Sequence, residues 1–311
     1  AVSDAKNAYY AYAYAIEARQ IARDFLASAR ELVEINRARY AKGIASSVDL
    51  LEAEAAEAER EKLLLDAEYG LKTAEDKLKF VTNLVDDPET WNAEIELIEK
   101  PDFSVRSVDL VQSILDAFEH RPDYRARKIE VKNKDIRIVT AKNALLPTLD
   151  VVGSFGLNGL GDQYGRAVES IHWRYKDWGV GGSLRVPWGK GDRARYDQSK
   201  LEKAQLLLEL ERMEQRIILD VRDKVREVDL QYRQKQASQV ARDKEEENYT
   251  AQKDRLAAGQ VSTHDMLDYQ YRYSKAELDL KQSIVNYNSA LVNLDREVGL
   301  TLARSDVTLE E

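Results

Sequence analysis

The chain repeats part of its own sequence at an offset of 216 residues. Six residues around Gly43 recur without a gap around Gly259. The matched pairs are Arg39 and Arg255, Ala41 and Ala257, Gly43 and Gly259, Ser46 and Ser262, Asp49 and Asp265, and Leu51 and Leu267. The register also holds outside this motif, where Leu84 matches Leu300. A fixed internal period indicates a supersecondary unit that is present twice. The first copy begins at Ala1, opposite Ile217.

Each copy predicts a long antiparallel helical hairpin. From Ala1 to about Tyr40 no Gly or Pro occurs, and apolar residues recur at three- and four-residue spacing. Gly43 then supplies a helix stop, and the serines that follow supply an N-cap for a second helix that ends near Thr82. The second copy predicts a helix from about 192 to 258, a turn at Gly259 and a last helix to about 298.

The composition agrees with long helices. Of 311 residues, 43% are hydrophobic and 33% are charged, with only 14 glycines and 5 prolines. A helix of about 65 residues would be about 100 Å long, and its apolar stripe can be buried only against other long helices. The sequence therefore predicts a mainly α fold of long coiled-coil hairpins.

One region departs from the helical pattern. Ten of the 14 glycines fall between Gly153 and Gly191, and the runs 149–157 and 179–186 have the length and composition of strands. They predict one β-hairpin. It is preceded by two helices, at about 107–120 and 122–144, and Pro122 suits the first turn of the latter.

These patterns divide the chain into six segments. They are a first helical hairpin (1–82), an irregular connector with room for a short strand (83–106), helices leading to the β-hairpin (107–146), the β-hairpin (147–189), a second long helical hairpin (190–300) and a C-terminal tail (301–311).

The β-hairpin allows two interpretations. Its strands alternate between an apolar face, with Val151, Phe155 and Leu184, and a small or polar face, as strands of a transmembrane β-barrel do. Aromatic residues typical of a membrane interface cluster at its ends. They are Trp173, Tyr175, Trp178 and Trp188. The alternative is a surface hairpin that packs one face on a helix. Because two strands cannot close a barrel, a membrane element would require strands from several chains.

Charge and motifs exclude several classes of function. The net charge of −9, with basic and acidic residues interleaved, argues against a nucleic-acid partner. No cysteine is present, and the three histidines lie far apart in the sequence, without metal-ligand spacing. No nucleophile, base or dinucleotide motif occurs. We therefore expect neither an enzyme nor a cofactor.

Several segments, taken in their order along the chain, resemble segments of the TolC-type outer membrane efflux proteins. The tips 39–51 and 255–267 are similar to the helix-turn-helix tips of that family. Arg121-Pro-Asp-Tyr124, the step from Leu146 to Pro147 and the segment 186–195 after the second strand are similar to its later landmarks. The resemblance covers nearly the whole chain.

This resemblance implies an outer membrane channel with a large periplasmic portion. In the family, three protomers each give four strands to a 12-stranded β-barrel and paired helices to a periplasmic α-barrel. A periplasmic adaptor and an inner membrane pump deliver substrate, which then passes passively to the exterior. Only one of the two expected strand pairs is present here, and the other would precede Ala1, so we expect a chain that is truncated at its N-terminus.

The resemblance also implies candidate site residues at the tips. Asp265 and Asp268 match acidic residues that ring the periplasmic entrance, and Asp49 and Glu52 have the same offsets from Gly43. Rings of carboxylates in a narrow pore favour cations, although an Asp near a helix start can also serve as a cap. Adaptor docking is expected at Gly43, Ile44 and Ser47 and at Gly259, Val261 and Ser262. Val261 stands where family members carry an arginine used in a closing salt link.

Two functions therefore remain open from the sequence. The first is the outer membrane channel of a tripartite efflux or secretion system, which contacts lipid, an adaptor and a pump as a homotrimer. The alternative is a structural coiled-coil or adaptor protein that never enters a membrane. The sequence distinguishes neither drug efflux from metal efflux nor either of them from protein secretion.

Overall fold

A computed structural model describes residues 1–84, 93–98, 104–171, 176–305 and 307. Its helices are α1 (Val2–Ala41), α2 (Ser47–Val81), α3 (Leu110–His120), α4 (Pro122–Asn143), α5 (Tyr164–Glu169), α6 (Lys190–Ala257) and α7 (Thr263–Val298), with a 3-10 turn at Ala303–Ser305. The strands β1 (Thr148–Leu157) and β2 (Lys176–Arg185) form a two-stranded antiparallel sheet.

The chain divides into two compact units, which comprise residues 1–122 with 216–311 and residues 123–215. In the first unit α1 and α2 pack along their length, and α7 packs on α1. Tyr12 and Leu71 are buried together between α1 and α2, and the Tyr12 hydroxyl donates a 2.7 Å hydrogen bond to the carbonyl of Ile95. Tyr287 and Leu294 of α7 pack with Val228 of α6 in a second buried cluster.

The second unit contains α4, the β-hairpin, α5 and the first part of α6. Lys134 of α4 pairs with Glu202 of α6 at 2.6 Å, and the Tyr124 hydroxyl donates to Glu214 at 2.8 Å. Burial, together with that carboxylate, raises the pKa of Tyr124 to about 12. Polar contacts thus join α4 to α6 in this unit.

The predicted helices and the β-hairpin are confirmed, with differences at their ends. Helix α3 begins at Leu110 rather than near residue 107, because the Asp109 side chain accepts a 2.7 Å hydrogen bond from the backbone of Gln112 and caps the helix there. Residues 93–98 and 104–109 form neither helix nor strand, so the described part of the connector contains no short strand. Helix α5, inside the hairpin loop, was not predicted.

Across the residues described above, no helix combines the length and the apolar character needed to cross a membrane.

Candidate functional site: the two helical tips

The two tips have the same backbone geometry. At the first, Gly43 has a φ of +71°, its N–H donates to the carbonyl of Tyr40 at 2.9 Å, and the N–H of Ile44 donates to that of Arg39 at 2.9 Å. The second repeats this arrangement: Gly259 has a φ of +72° and the equivalent hydrogen bonds are 3.0 Å and 2.9 Å. This pair of bonds is a Schellman motif, which needs a left-handed residue and so favours glycine.

The helices that leave the tips begin with matching caps. The Ser46 hydroxyl accepts a hydrogen bond from the backbone of Asp49 at 3.1 Å and donates to its carboxylate at 2.7 Å. Ser262 and Asp265 make the same two bonds, at 3.1 Å and 2.7 Å. The hydrogen bond from Ser46 lowers the pKa of Asp49. Ser46 and Ser262 therefore cap the two helices, and their hydroxyls hold the carboxylates of Asp49 and Asp265 close to the tips.

Glu52 and Asp268 come together elsewhere on the tips. Both line a surface depression of about 450 Å³ between α2 and α7, which His264, Arg60 and Tyr271 also line. The carboxylate of Asp268 lies 2.7 Å from Arg272 of the same helix. Of the four acidic residues predicted to surround an entrance, the structure thus brings these two to one depression, whereas Asp49 and Asp265 stay with their serines.

A larger and more apolar groove of about 540 Å³ lies between α1 and the ends of α6 and α7. Ile44 and Gly259, two of the predicted docking residues, line it together with Leu32, Leu256 and Met266. Ile44 is 66% exposed, although its side chain is aliphatic. The other four predicted docking residues do not belong to this lining: Gly43, Ser47, Val261 and Ser262.

Two residues of the tip region were not anticipated. Arg60 and Gln270 are charged and polar residues on long, charge-rich helices, yet they are only 4% and 3% exposed. No sequence signal marks them, because their burial depends on a third helix that packs beside each hairpin.

The β-hairpin has the face alternation that the sequence predicts. Its register pairs Leu149 with Leu184 and Phe155 with Trp178, so one face collects the large apolar residues. These side chains are 59% to 69% exposed. Trp178 ends the apolar face beside the loop, and Trp188, which is 92% exposed, follows β2. Trp173 and Tyr175 lie outside the described residues.

The tips offer carboxylates, a buried guanidinium and an apolar groove. Within the described ranges, no group of three or more His, Asp and Glu side chains is placed to hold a metal ion.

Comparison with known proteins gives a family and a fold. The sequence profile described as "Outer membrane efflux protein" matches residues 1–84 and 114–300. No curated protein sequence matches the chain. A membrane protein from Pseudomonas aeruginosa is 20% identical and has a TM-score of 0.79 over 96% of this chain and 67% of its own length.

Two named outer membrane proteins have similar folds. The CmeC outer membrane channel of Campylobacter jejuni is 17% identical, with a TM-score of 0.75 over 96% of this chain and 62% of its own. The outer membrane protein VceC of Vibrio cholerae is 16% identical, with a TM-score of 0.76 over 96% of this chain and 68% of its own. The chain thus spans about two thirds of the length of these solved structures.

Proposed function

Because the chain belongs to the outer membrane efflux protein family, we propose that it forms the outer membrane channel of a tripartite efflux or secretion system. Substrate passes through it passively from the periplasm to the exterior. One observation carries this proposal. The same chain contains two helical tips of matching geometry and a β-hairpin whose apolar face is exposed, and it belongs to that family.

The exposed face of the hairpin favours the channel over a coiled-coil rod. In the rod, this face would pack on a helix of the same chain, and its apolar residues would be buried. Instead Val151 is 72% exposed and Val180 is 73% exposed. Apolar surface of this kind is stable against lipid and neighbouring strands. Trp178 and Trp188 then lie at the membrane interface, where amphipathic rings are favoured.

The partners follow from the same arrangement. A homotrimer supplies the additional strands that a closed barrel requires. The apolar groove at Ile44 and Gly259 suits a helical hairpin of a periplasmic adaptor, since amphipathic helices place their apolar face in such grooves. The adaptor connects the channel to an inner membrane pump.

The carboxylates at the tips give the channel its selectivity. A trimer brings three copies each of Asp49, Glu52, Asp265 and Asp268 to one mouth, and such rings attract cations. A carboxylate about 4 Å from a passing cation in water favours it by about fivefold. That Glu52 and Asp268 line an open depression supports this role, since solvent can reach the depression.

Planar-bilayer recordings of the full-length protein test the proposal. The double variant with Asp265→Asn and Asp268→Asn should lower the ratio of cation to anion permeability, measured from reversal potentials. Asp229→Asn is the matched control, because Asp229 forms an i,i+4 pair with Arg233 like that of Asp268 with Arg272, but far from the tips.

The two parts of the proposal fail separately. A full-length protein that never conducts would contradict the channel. A conducting protein whose permeability ratio is the same in the double variant and in the wild type would contradict the gate residues alone.

A further inference from the structure

Arg60 is a buried cation at the meeting point of three helices. It belongs to α2, and its guanidinium carbon lies 4.3 Å from the ring centroid of Phe25 on α1 and 5.4 Å from that of Tyr271 on α7. A cation within about 6 Å of an aromatic face is attracted by the ring quadrupole. The guanidinium therefore connects α7 to both helices of the first hairpin.

This cation is only weakly paired for a buried arginine. Its Nε and Nη1 atoms are shielded from solvent by the chain itself, and they find no hydrogen-bond acceptor among the described residues. Glu59 approaches Nη1 at 3.4 Å, but its side chain is 65% exposed. Burial lowers the pKa of Arg60, as loss of hydration does for a cation, and arginine nevertheless stays charged.

Packing alone does not explain a charge at this place. An apolar residue of similar volume would fill the same space without the cost of removing a cation from water. What the guanidinium adds is a directional attraction to two rings on different helices. Tyr271 is 45% exposed, so its ring is the most accessible of the groups in the stack.

The stack lies beside the proposed gate residues. Arg60 and Tyr271 line the same depression as Glu52 and Asp268. Asp268 precedes Tyr271 by three residues on α7, which is about 4.5 Å along the helix axis. A shift of α7 away from α2 would therefore separate Tyr271 from Arg60 and Asp268 from Glu52 in one movement.

We propose that Arg60 is a positioning residue for the gate, because its stack between Phe25 and Tyr271 holds the first turns of α7 and fixes Asp268 at the mouth. Release of the stack lets α7 move and widens the mouth. This inference rests on the proposed channel function.

Single-channel recordings of the full-length trimer test it with two substitutions at Arg60 and two at Tyr271. Arg60→Met removes the charge but keeps a long apolar side chain, and Arg60→Lys keeps the charge but loses the planar fork. Tyr271→Leu removes the ring, and Tyr271→Phe keeps it. Arg30→Met is the matched control, since Arg30 is an exposed arginine that pairs across the first hairpin with Glu57 at 3.1 Å.

We expect Arg60→Met and Tyr271→Leu each to raise the open probability about tenfold, which corresponds to about 1.4 kcal/mol. The double variant should open no more than either single one, because both remove the same interaction. Arg60→Lys should be intermediate, while Tyr271→Phe and Arg30→Met should match the wild type.

Other outcomes would overturn the positioning role. One is a double variant in which the effects of the two substitutions on the open probability add. Another is an Arg60→Met channel whose open probability equals that of the Arg30→Met control. A drop in thermal stability without a change in open probability would show that Arg60 serves packing only. Asp268→Asn, measured in parallel, separates the two proposals: if it changes the permeability ratio while Arg60→Met leaves the open probability unchanged, the gate stands and the role of Arg60 does not.

Discussion

Gly299 provides the sharpest stability test in the fold. It ends α7 with a φ of +81°, and a Cβ atom placed on it would lie 2.9 Å from the carbonyl carbon and oxygen of His120 and 3.0 Å from the nitrogen of Arg121. These are backbone atoms at the junction of α3 and α4, so no side chain can turn aside. Gly43 and Gly259 have φ values of +71° and +72°, but a Cβ there meets nothing within 4 Å.

Comparison of Gly299 with the two tip glycines separates the free-energy cost of backbone strain from that of steric collision. A left-handed conformation costs an L-residue about 1–2 kcal/mol at all three positions. A collision with fixed backbone adds about 1–3 kcal/mol at Gly299 alone. We therefore expect the free energy of unfolding to fall by about 1–2 kcal/mol in Gly43→Ala and in Gly259→Ala, and by about 2–5 kcal/mol in Gly299→Ala. At about 2–4 °C per kcal/mol, the respective falls in Tm are about 2–8 °C and about 4–20 °C.

Thermal unfolding of the purified variants, followed by circular dichroism at 222 nm, measures these differences. Asparagine variants separate strain from collision, because Asn tolerates the left-handed region but still carries a Cβ. Gly259→Asn should unfold close to the wild type, and Gly299→Asn should remain well below it. If Gly299→Ala and Gly259→Ala had the same Tm, the close packing of α7 on the α3–α4 junction would be refuted.

Two further predictions concern buried charge and helix caps. Glu75, which is 3% exposed, contacts Lys79 at 2.9 Å and Lys72 at 3.1 Å. Burial disfavours its charge, but the lysine hydrogen bonds outweigh burial and lower its pKa. Glu75→Gln should therefore lower the free energy of unfolding, measured in urea at neutral pH, by about 3 kcal/mol. This difference in the free energy of unfolding should shrink as the pH falls below 4.5, the ordinary pKa of Glu, and should vanish below the lowered pKa of Glu75. A difference that stays the same at every pH would contradict the prediction. Ser262→Ala should lose about 1 kcal/mol and speed amide exchange at Asp265, whereas unchanged exchange would argue against the cap.

The sequence by itself determined the parts of the protein that depend on local chemistry. Gly43 and Gly259 ended their helices because a Schellman turn needs a left-handed residue, and Ser46 and Ser262 began the next helices because their hydroxyls cap free N–H groups. The β-hairpin was recognised from alternation and glycine content, which are also local properties. Family resemblance then connected these parts to a channel.

Only the tertiary structure decided which polar residues are buried and what they contact. Asp295 pairs with Arg106 at 2.9 Å although 189 residues separate them in sequence, and nothing near either residue marks the contact. Arg60 looks like many other helical arginines until Phe25 and Tyr271 from two other helices enclose it. Likewise, Gly299 differs from the tip glycines only because His120 lies against it. The physical reason is that helix periodicity fixes the direction of a side chain on its own helix, whereas burial and partners depend on how separate helices pack.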